Sequence, residues 1–203
     1  MVLGQVIDLE AVRAQRSNND HRGYHEVEID IYERRLKHHP SDYQAWNYRS
    51  YLLASTGQYQ RAAKSYRRAL ELDDSDPRVW CNYGVVLDKL SCLEEAIDCY
   101  RQAIERYPRY FKALYRRSRS LHRLQQYQAA IEGYDRAAEL RPDFHRLWYY
   151  RGKALVKLGR FKQAAESFRT ALAAQASDAE VWFSLGKLLL QQQQHTEALD
   201  AFI

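Results

Sequence analysis

One spacing dominates this sequence: a bulky apolar residue returns every 34 residues without an insertion. The residues at this position are Trp46, Trp80, Leu114, Trp148 and Trp182. An alanine follows each of them sixteen residues later, and an aromatic residue follows each alanine by four. A period of 20 to 50 residues is typical of repeat architectures, in which each unit packs only on its neighbours. The spacing therefore predicts an array of similar units.

Each period is predicted to form two helices. Within residues 77–110, apolar side chains follow i, i+4, i+7 spacing twice, with a break between the two runs. Asp76 and Pro77 supply an N-cap and a first-turn proline for the first helix. Ser91 and Glu94 have the spacing of a capping box, which predicts that the second helix starts at Ser91.

Glycines recur at two positions of the period, and each position predicts a different role. Gly57 and Gly159 fall in the turn between the two helices, where a positive φ would end the first helix. Gly84, Gly152 and Gly186 fall inside the first helix, where a small residue would let a neighbouring helix approach closely.

Composition excludes several classes of protein. Eight glycines and four prolines in 203 residues are too few to punctuate an all-β chain. No apolar run approaches the roughly 20 residues that span a bilayer, and Asp8 and Glu10 interrupt the start of the chain where a signal peptide needs an apolar core. We therefore expect a cytoplasmic protein without a transmembrane segment.

Residues of the types used in catalysis and metal binding do not form a recognisable motif in this sequence. No nucleophile elbow, zinc-binding helix motif or phosphate-binding glycine loop occurs, so the sequence predicts no enzyme, no cofactor and no metal site. The three cysteines, Cys81, Cys92 and Cys99, are predicted to be small core residues, since none lies in a CxxC pair.

The repeated columns resemble the tetratricopeptide repeat family, whose pattern is W-x2-L-G-x2-Y followed by A-x3-F, A and P. The resemblance covers residue 43 to the end and implies an all-α, right-handed superhelical solenoid of antiparallel helix pairs. The implied organisation is residues 1–42 as an N-terminal capping helix and degenerate repeat, then repeats at 43–76, 77–110, 111–144, 145–178 and, incomplete, 179–203.

Both ends depart from the pattern. Val2, Val6, Leu9 and Val12 form one apolar stripe, which fits either a cap on the first repeat or a helix that docks on a partner or a membrane surface. Residue 203 falls midway through a second helix, so Leu185, Leu189, Ala198, Leu199 and Phe202 are expected to lack cover on one side. Either the array continues beyond Ile203, or this edge packs on a second copy or a partner, which predicts self-association.

The resemblance also implies a concave groove lined by the first helices, where family members bind peptide segments. The thirty positions that would face it hold ten basic and two acidic residues. The residues predicted to bind peptide are Tyr48, Tyr51, Arg78, Asn82, Lys112, Tyr115, Arg116, Arg119, Arg123, Arg146, Tyr149, Tyr150, Lys153 and Lys157.

Three interpretations of these positions remain open. Guanidinium groups and tyrosines suit an acidic, partly hydrophobic peptide. The same side chains could track the backbone of single-stranded RNA, or could simply solvate an exposed face. We expect the first: a non-enzymatic adaptor or assembly factor whose partner is another protein, with nucleic acid as the alternative.

Some family members hold a terminal carboxylate with a five-residue clamp, and this chain matches part of that pattern. Asn82, Lys112 and Arg116 occupy three of the five positions, whereas Asn47 and Tyr51 stand where Lys and Asn are expected. The three matches are therefore expected to anchor an acidic side chain rather than to form the complete clamp.

Overall fold

The computed structural model describes residues 21–202, with side chains from residue 23 onward, and every regular element in that range is a helix. It divides into two compact units, Met1–Leu72 and Asp73–Ile203. The apolar stripe of residues 2–12 lies outside the described residues, so its role stays a prediction.

The described part of the first unit, from residue 21 onward, contains three helices. They are α1 (His21–His38), α2 (Tyr43–Ser55) and α3 (Tyr59–Leu72). Helix α2 packs on α1 and on α3. Asp42 caps α2 by accepting a hydrogen bond from the backbone N–H of Ala45. Shifting the 34-residue period back by one unit predicts the second helix of a degenerate repeat at about Tyr24–His39, and the observed helix α1 begins three residues earlier, at His21.

The second unit contains four consecutive helix pairs. The helices are α4 (Pro77–Lys89), α5 (Leu93–Arg106), α6 (Phe111–Arg123), α7 (Tyr127–Ala138), α8 (His145–Lys157), α9 (Phe161–Ala174), α10 (Ala179–Gln191) and α11 (His195–Asp200). Each helix packs on the next, and the first helices α4, α6 and α8 also contact one another in sequence. The predicted all-α class of stacked helix pairs is therefore confirmed.

The turns within pairs share one backbone feature. Five residues spaced 34 apart have a positive φ: Gly57, Ser91, Gln125, Gly159 and Gln193. The two glycines were predicted here. The predicted capping box at Ser91 is wrong, because this residue has φ +63° and belongs to the turn, while α5 begins at Leu93. Cys92 precedes α5 without a side-chain capping hydrogen bond.

Close helix approach occurs at the glycines where it was predicted. A Cβ on Gly84 would lie 2.7 Å from Cε1 of Tyr100, and one on Gly152 would lie 2.6 Å from Cε1 of Phe168. These distances are below van der Waals contact, so the aromatic ring of the second helix occupies the space that a side chain would need.

The repeated aromatic residues have two different environments. Tyr66, Tyr100, Tyr134 and Phe168 are fully buried. Each tryptophan is only partly covered, and its indole N–H donates to the backbone carbonyl six residues earlier at 2.7–2.9 Å. The indole thus ties the first helix to the loop before it.

The last helix pair is better covered than predicted. Leu185, Leu189 and Ala198 are buried, because α10 and α11 pack on each other and α10 packs on α9. The expectation holds for Leu199 and Phe202, which are 61% and 45% exposed.

Candidate functional site

The predicted peptide-binding residues fall in both units, and each unit is described by itself. Tyr48 and Tyr51 lie on α2 of the first unit, and both side chains are exposed. The remaining twelve lie on α4, α6 and α8 of the second unit. That row of helices, together with α10, forms the candidate site.

Three of the predicted cations already have acidic partners. Arg78 pairs with Asp76 at 2.8 Å. Arg123 on α6 pairs with Asp88 on α4 at 3.4 Å. Arg146 on α8 donates to Glu180 on α10 at 2.9 Å. These arginines therefore link or cap helices of the array and offer less charge to a ligand than the sequence suggests.

Seven other basic residues at the predicted groove-facing positions of these helices have no acidic partner among the described residues. They are Lys89, Lys112, Arg116, Arg119, Lys153, Lys157 and Lys187. An unpaired cation on a folded surface keeps its full attraction for an anionic ligand. Five of these seven cations lie on α6 and α8, so unpaired positive charge is concentrated on those two helices.

Aromatic rings hold several of these cations in place. The guanidinium of Arg119 lies 4.6 Å from the ring centroid of Tyr150, and the ammonium of Lys153 lies 5.2 Å from that of Tyr149. The ammonium of Lys187 lies 5.9 Å from the ring of Phe183. Cation–π contacts of this kind order a charged side chain without neutralising it.

Two tyrosines predicted to contact a ligand are buried instead. Tyr115 is 9% exposed and Tyr149 is 2% exposed. The hydroxyl of Tyr149 donates to Oε1 of Glu180 at 2.5 Å, which helps to lower the pKa of Glu180. Both rings support the surface from beneath, and Tyr150 remains half-buried in the row.

A pocket of about 470 Å³ opens between α8 and α10. Its apolar lining includes Phe168, Leu188 and the exposed ring of Phe183. Three lysines, Lys153, Lys157 and Lys187, also line it, with Glu180 as its acidic residue. The pocket is large enough for a bulky side chain, and its cations suit acidic groups on either side.

His122 on α6 also lines this pocket, and sequence analysis did not single it out. Its Nδ1 is buried without a hydrogen-bond partner. Burial, followed by the positive charges of Lys153 and Lys157, lowers the pKa of His122, so the imidazole is neutral at pH 7. Only the neighbouring helices reveal this environment, since a lone histidine in the sequence carries no such signal.

The partial clamp brings two of its three residues into contact. The ammonium of Lys112 on α6 donates to Oδ1 of Asn82 on α4 at 3.1 Å. Arg116, one turn further along α6, has no acidic partner in the described part of the chain. This end of the row therefore offers one free guanidinium beside an amide–ammonium pair.

Other kinds of site lack the necessary residues in the described range. Between residues 21 and 202, no three histidine, cysteine or acidic side chains come together as a metal site would require. Cys81 and Cys99 are buried, and burial raises the pKa of the Cys99 thiol to about 12. None of the described helices has both the length and the apolarity to cross a bilayer.

A stack of helix pairs with a cationic, aromatic row of first helices defines a helical-repeat interaction scaffold. Sequence models of the tetratricopeptide repeat match residues 51–91, 77–110, 99–132, 119–159 and 149–202. The chain belongs to the tetratricopeptide repeat family. A model of the protein prenyltransferase alpha subunit repeat matches residues 25–56. A search of the curated proteins finds no match.

Solved structures share the fold at low sequence identity. MamA aligns with a TM-score of 0.75 and 22% identity, covering 78% of this chain and 93% of MamA. MamA residues 41 to the end, from Desulfovibrio magneticus RS-1, aligns with 0.73 and 18%, covering 86% and 91%. YrrB, described as a TPR protein with an unusual peptide-binding site, aligns with 0.73 and 21%, covering 85% and 89%.

Proposed function

We propose that this chain is a non-enzymatic adaptor or assembly factor that binds an acidic, partly hydrophobic segment of another protein along its first helices. The pocket between α8 and α10 carries the proposal, because three unpaired lysines surround an apolar lining with an exposed phenylalanine. An acidic peptide with one aromatic or large aliphatic residue matches both parts of that surface.

The peptide's anchor residue would enter the pocket, and flanking carboxylates would meet the lysines at its rim. Arg119 and Arg116 on α6 would extend the cationic track toward Lys112. Tyr48 and Tyr51 are proposed to bind the same ligand class from the first unit, since both rings are exposed. The affinity should fall as salt rises, because exposed charges are screened over about 8 to 10 Å at physiological ionic strength.

The test is a double charge reversal at the pocket, Lys157→Glu with Lys187→Glu. Binding of a labelled peptide of glutamate and phenylalanine should weaken at least about 10-fold, equivalent to roughly 1.4 kcal/mol. The matched control, Arg160→Glu with Lys162→Glu, changes net charge equally at exposed residues that do not line the pocket. Equal weakening in both variants would show only a dependence on net charge and would contradict the proposed site.

Single-stranded RNA is the alternative ligand, and one competition separates the two. At physiological ionic strength, unlabelled polyuridine should fail to displace the acidic peptide. Displacement at comparable concentration, or direct binding of labelled RNA that the pocket reversal abolishes, would favour nucleic acid instead.

Self-association is proposed through the apolar residues at the last helix pair. Leu199 and Phe202 are exposed, and Phe183 lies 6.0 Å from Phe202, ring to ring. Sedimentation should show concentration-dependent association that Leu199→Glu suppresses. A chain that stays monomeric at all concentrations would contradict this part of the proposal.

A further inference from the structure

Two arginines at the same position of different helix pairs make the same contacts. Nε of Arg49 donates to Oε1 of Glu33, sixteen residues earlier, at 3.2 Å, and Nη1 contacts the hydroxyl of Ser65, sixteen residues later. Nε of Arg151 donates to Oδ1 of Asp135 at 2.7 Å, and Nη1 donates to Ser167 at 2.7 Å. We call this arrangement the arginine seat: a guanidinium between a carboxylate and a hydroxyl.

Arg117 on α6 occupies the same position 34 residues before Arg151, but both seat partners are missing. The residue sixteen before it is Arg101, and the residue sixteen after it is Gly133. Nε of Arg117 is buried without a hydrogen-bond partner. Within the described residues, no other side-chain atom of Arg117 forms a hydrogen bond or ion pair. The unpartnered atom is the one that binds the carboxylate in the other two seats.

The space opposite Gly133 is already filled, so nothing within the pair replaces the hydroxyl. A Cβ on Gly133 would lie 2.2 Å from Oγ of Ser118. Ser118 is buried, and its hydroxyl donates to the backbone carbonyl of Leu114 at 2.9 Å. The seat around Arg117 therefore lacks both an acid and a hydroxyl.

Neighbouring charged residues add to the uncompensated positive charge around Arg117. Burial, then the positive charges of Arg136 and Arg101, lower the pKa of the Arg117 guanidinium, and Asp98 opposes this effect. Asp98 is committed to Arg101 at 3.0 Å, as is Glu105 at 3.1 Å. Arg136 is exposed and has no ion pair in the described range.

We propose that Arg117, with Arg136 beside it, binds a carboxylate of an acidic side chain on a partner protein. The assignment to a carboxylate rests on Glu33 and Asp135, which fill the equivalent position in the other two seats. A half-buried cation without a counter-charge is costly, and an external carboxylate would remove that cost as the internal ones do.

This second contact is separate from the lysine pocket. Arg117 interacts with charges on α5 and α7, whereas the pocket is lined by α6, α8, α9 and α10. A partner could therefore engage either surface alone.

The test follows the Nε–H resonance of Arg117 in the full chain by ¹⁵N NMR. The probe is tetraglutamate with both ends blocked, and the exposed Arg160 is the internal reference. The Arg117 resonance should shift saturably, and the shift should persist in the pocket variant Lys157→Glu with Lys187→Glu. That persistence distinguishes this contact from the proposed peptide site.

Arg101→Glu is the control for an occupied seat, because it places an acid at the position that Glu33 and Asp135 hold in the other two seats. The Arg117 resonance should then be displaced before any probe is added, and the apparent dissociation constant for tetraglutamate should rise at least 10-fold. Arg136→Gln, which leaves Arg101 in place, should weaken binding several-fold.

Three results would overturn the proposal. The first is an Arg117 shift no larger than that of Arg160. The second is an unchanged response in Arg101→Glu with intact helical circular dichroism. The third is a response to inorganic phosphate but not to tetraglutamate, which would show that the site does not select carboxylates.

Discussion

The turns at Ser91, Gly57 and Gly159 share one backbone conformation but differ in the residue that adopts it. All three residues have a positive φ, but only glycine adopts it without a steric penalty from Cβ. Equivalent turns of the array therefore carry different amounts of backbone strain. Glycine at such a position should raise the free energy of unfolding, and a residue with a Cβ should lower it.

Ser91→Gly should raise the free energy of unfolding by about 1 kcal/mol, because glycine removes the Cβ strain at φ +63°. Chemical denaturation measures this change. Gly57→Ser is the reciprocal control and should lower the free energy of unfolding by a similar amount. A Ser91→Gly variant less stable than wild type would show that the serine side chain contributes more than the strain costs.

His122 should make stability depend on pH. Burial lowers the pKa of His122 in the folded state below its ordinary value of 6.5, so the unfolded chain binds more protons as the pH falls. The stability that the neutral imidazole provides is complete above pH 6.5 and is lost as the pH falls through the folded-state pKa.

His122→Gln removes this titration, so the variant should lose less stability than wild type between about pH 7 and pH 5. The measurement is the difference in unfolding free energy between the two proteins at each pH. A constant difference across the range would mean that His122 titrates alike in the folded and unfolded states.

At the scale of helix pairs, packing depends on where an aromatic ring meets a glycine. Gly152 on α8 faces Phe168 on α9, and Gly84 on α4 faces Tyr100 on α5. In each of these two pairs the glycine contacts a ring of the same pair, so a larger residue at the glycine should disturb packing only locally.

Gly152→Leu should lower the free energy of unfolding by about 1 to 3 kcal/mol, since the added atoms must displace the Phe168 ring. Ala173→Leu, on the exposed face of α9, adds a leucine without such a contact and should leave stability within about 0.5 kcal/mol. Thermal and chemical denaturation of both variants provide the comparison. Equal stability of the two would exclude close approach as the role of Gly152.

At the scale of the whole molecule, the chain divides between Leu72 and Asp73 into two compact units. In repeat proteins each unit is stabilised by its nearest neighbours. The second unit also contains every residue that lines the lysine pocket and the seat around Arg117.

Residues 73–203 expressed alone should keep their helical circular dichroism and unfold cooperatively. They should also bind the glutamate–phenylalanine peptide, because every residue that lines the lysine pocket lies in this range, and any loss of affinity relative to the full chain measures the contribution of Tyr48 and Tyr51. The full chain with Tyr48→Ala and Tyr51→Ala is the control that tests those two residues directly. A fragment that fails to fold would show that the first unit is required for the stability of the second.

The 34-residue period, the two helices in each unit and the roles of Gly57, Gly84 and Gly152 could all be predicted from the sequence. These features depend on local backbone preference and on spacing along the chain, which the sequence records directly. The capping box at Ser91 was predicted wrongly for a related reason. The motif S-x-x-E fits a helix start, but the period places the residue in a turn that requires a positive φ.

Only the tertiary structure decided which charges are available. Arg146 is neutralised by Glu180 from the next helix pair, Tyr149 is buried beneath the row, and Arg117 lacks the carboxylate that Arg151 has. The family resemblance implied a groove, and the residues at its positions predicted an excess of positive charge. The sequence assigned Arg146 and Tyr149 the same exposed role, however, and did not single out Arg117. Pairing and burial depend on distances of a few ångströms between side chains of different helix pairs, and such distances are not encoded in spacing along the chain.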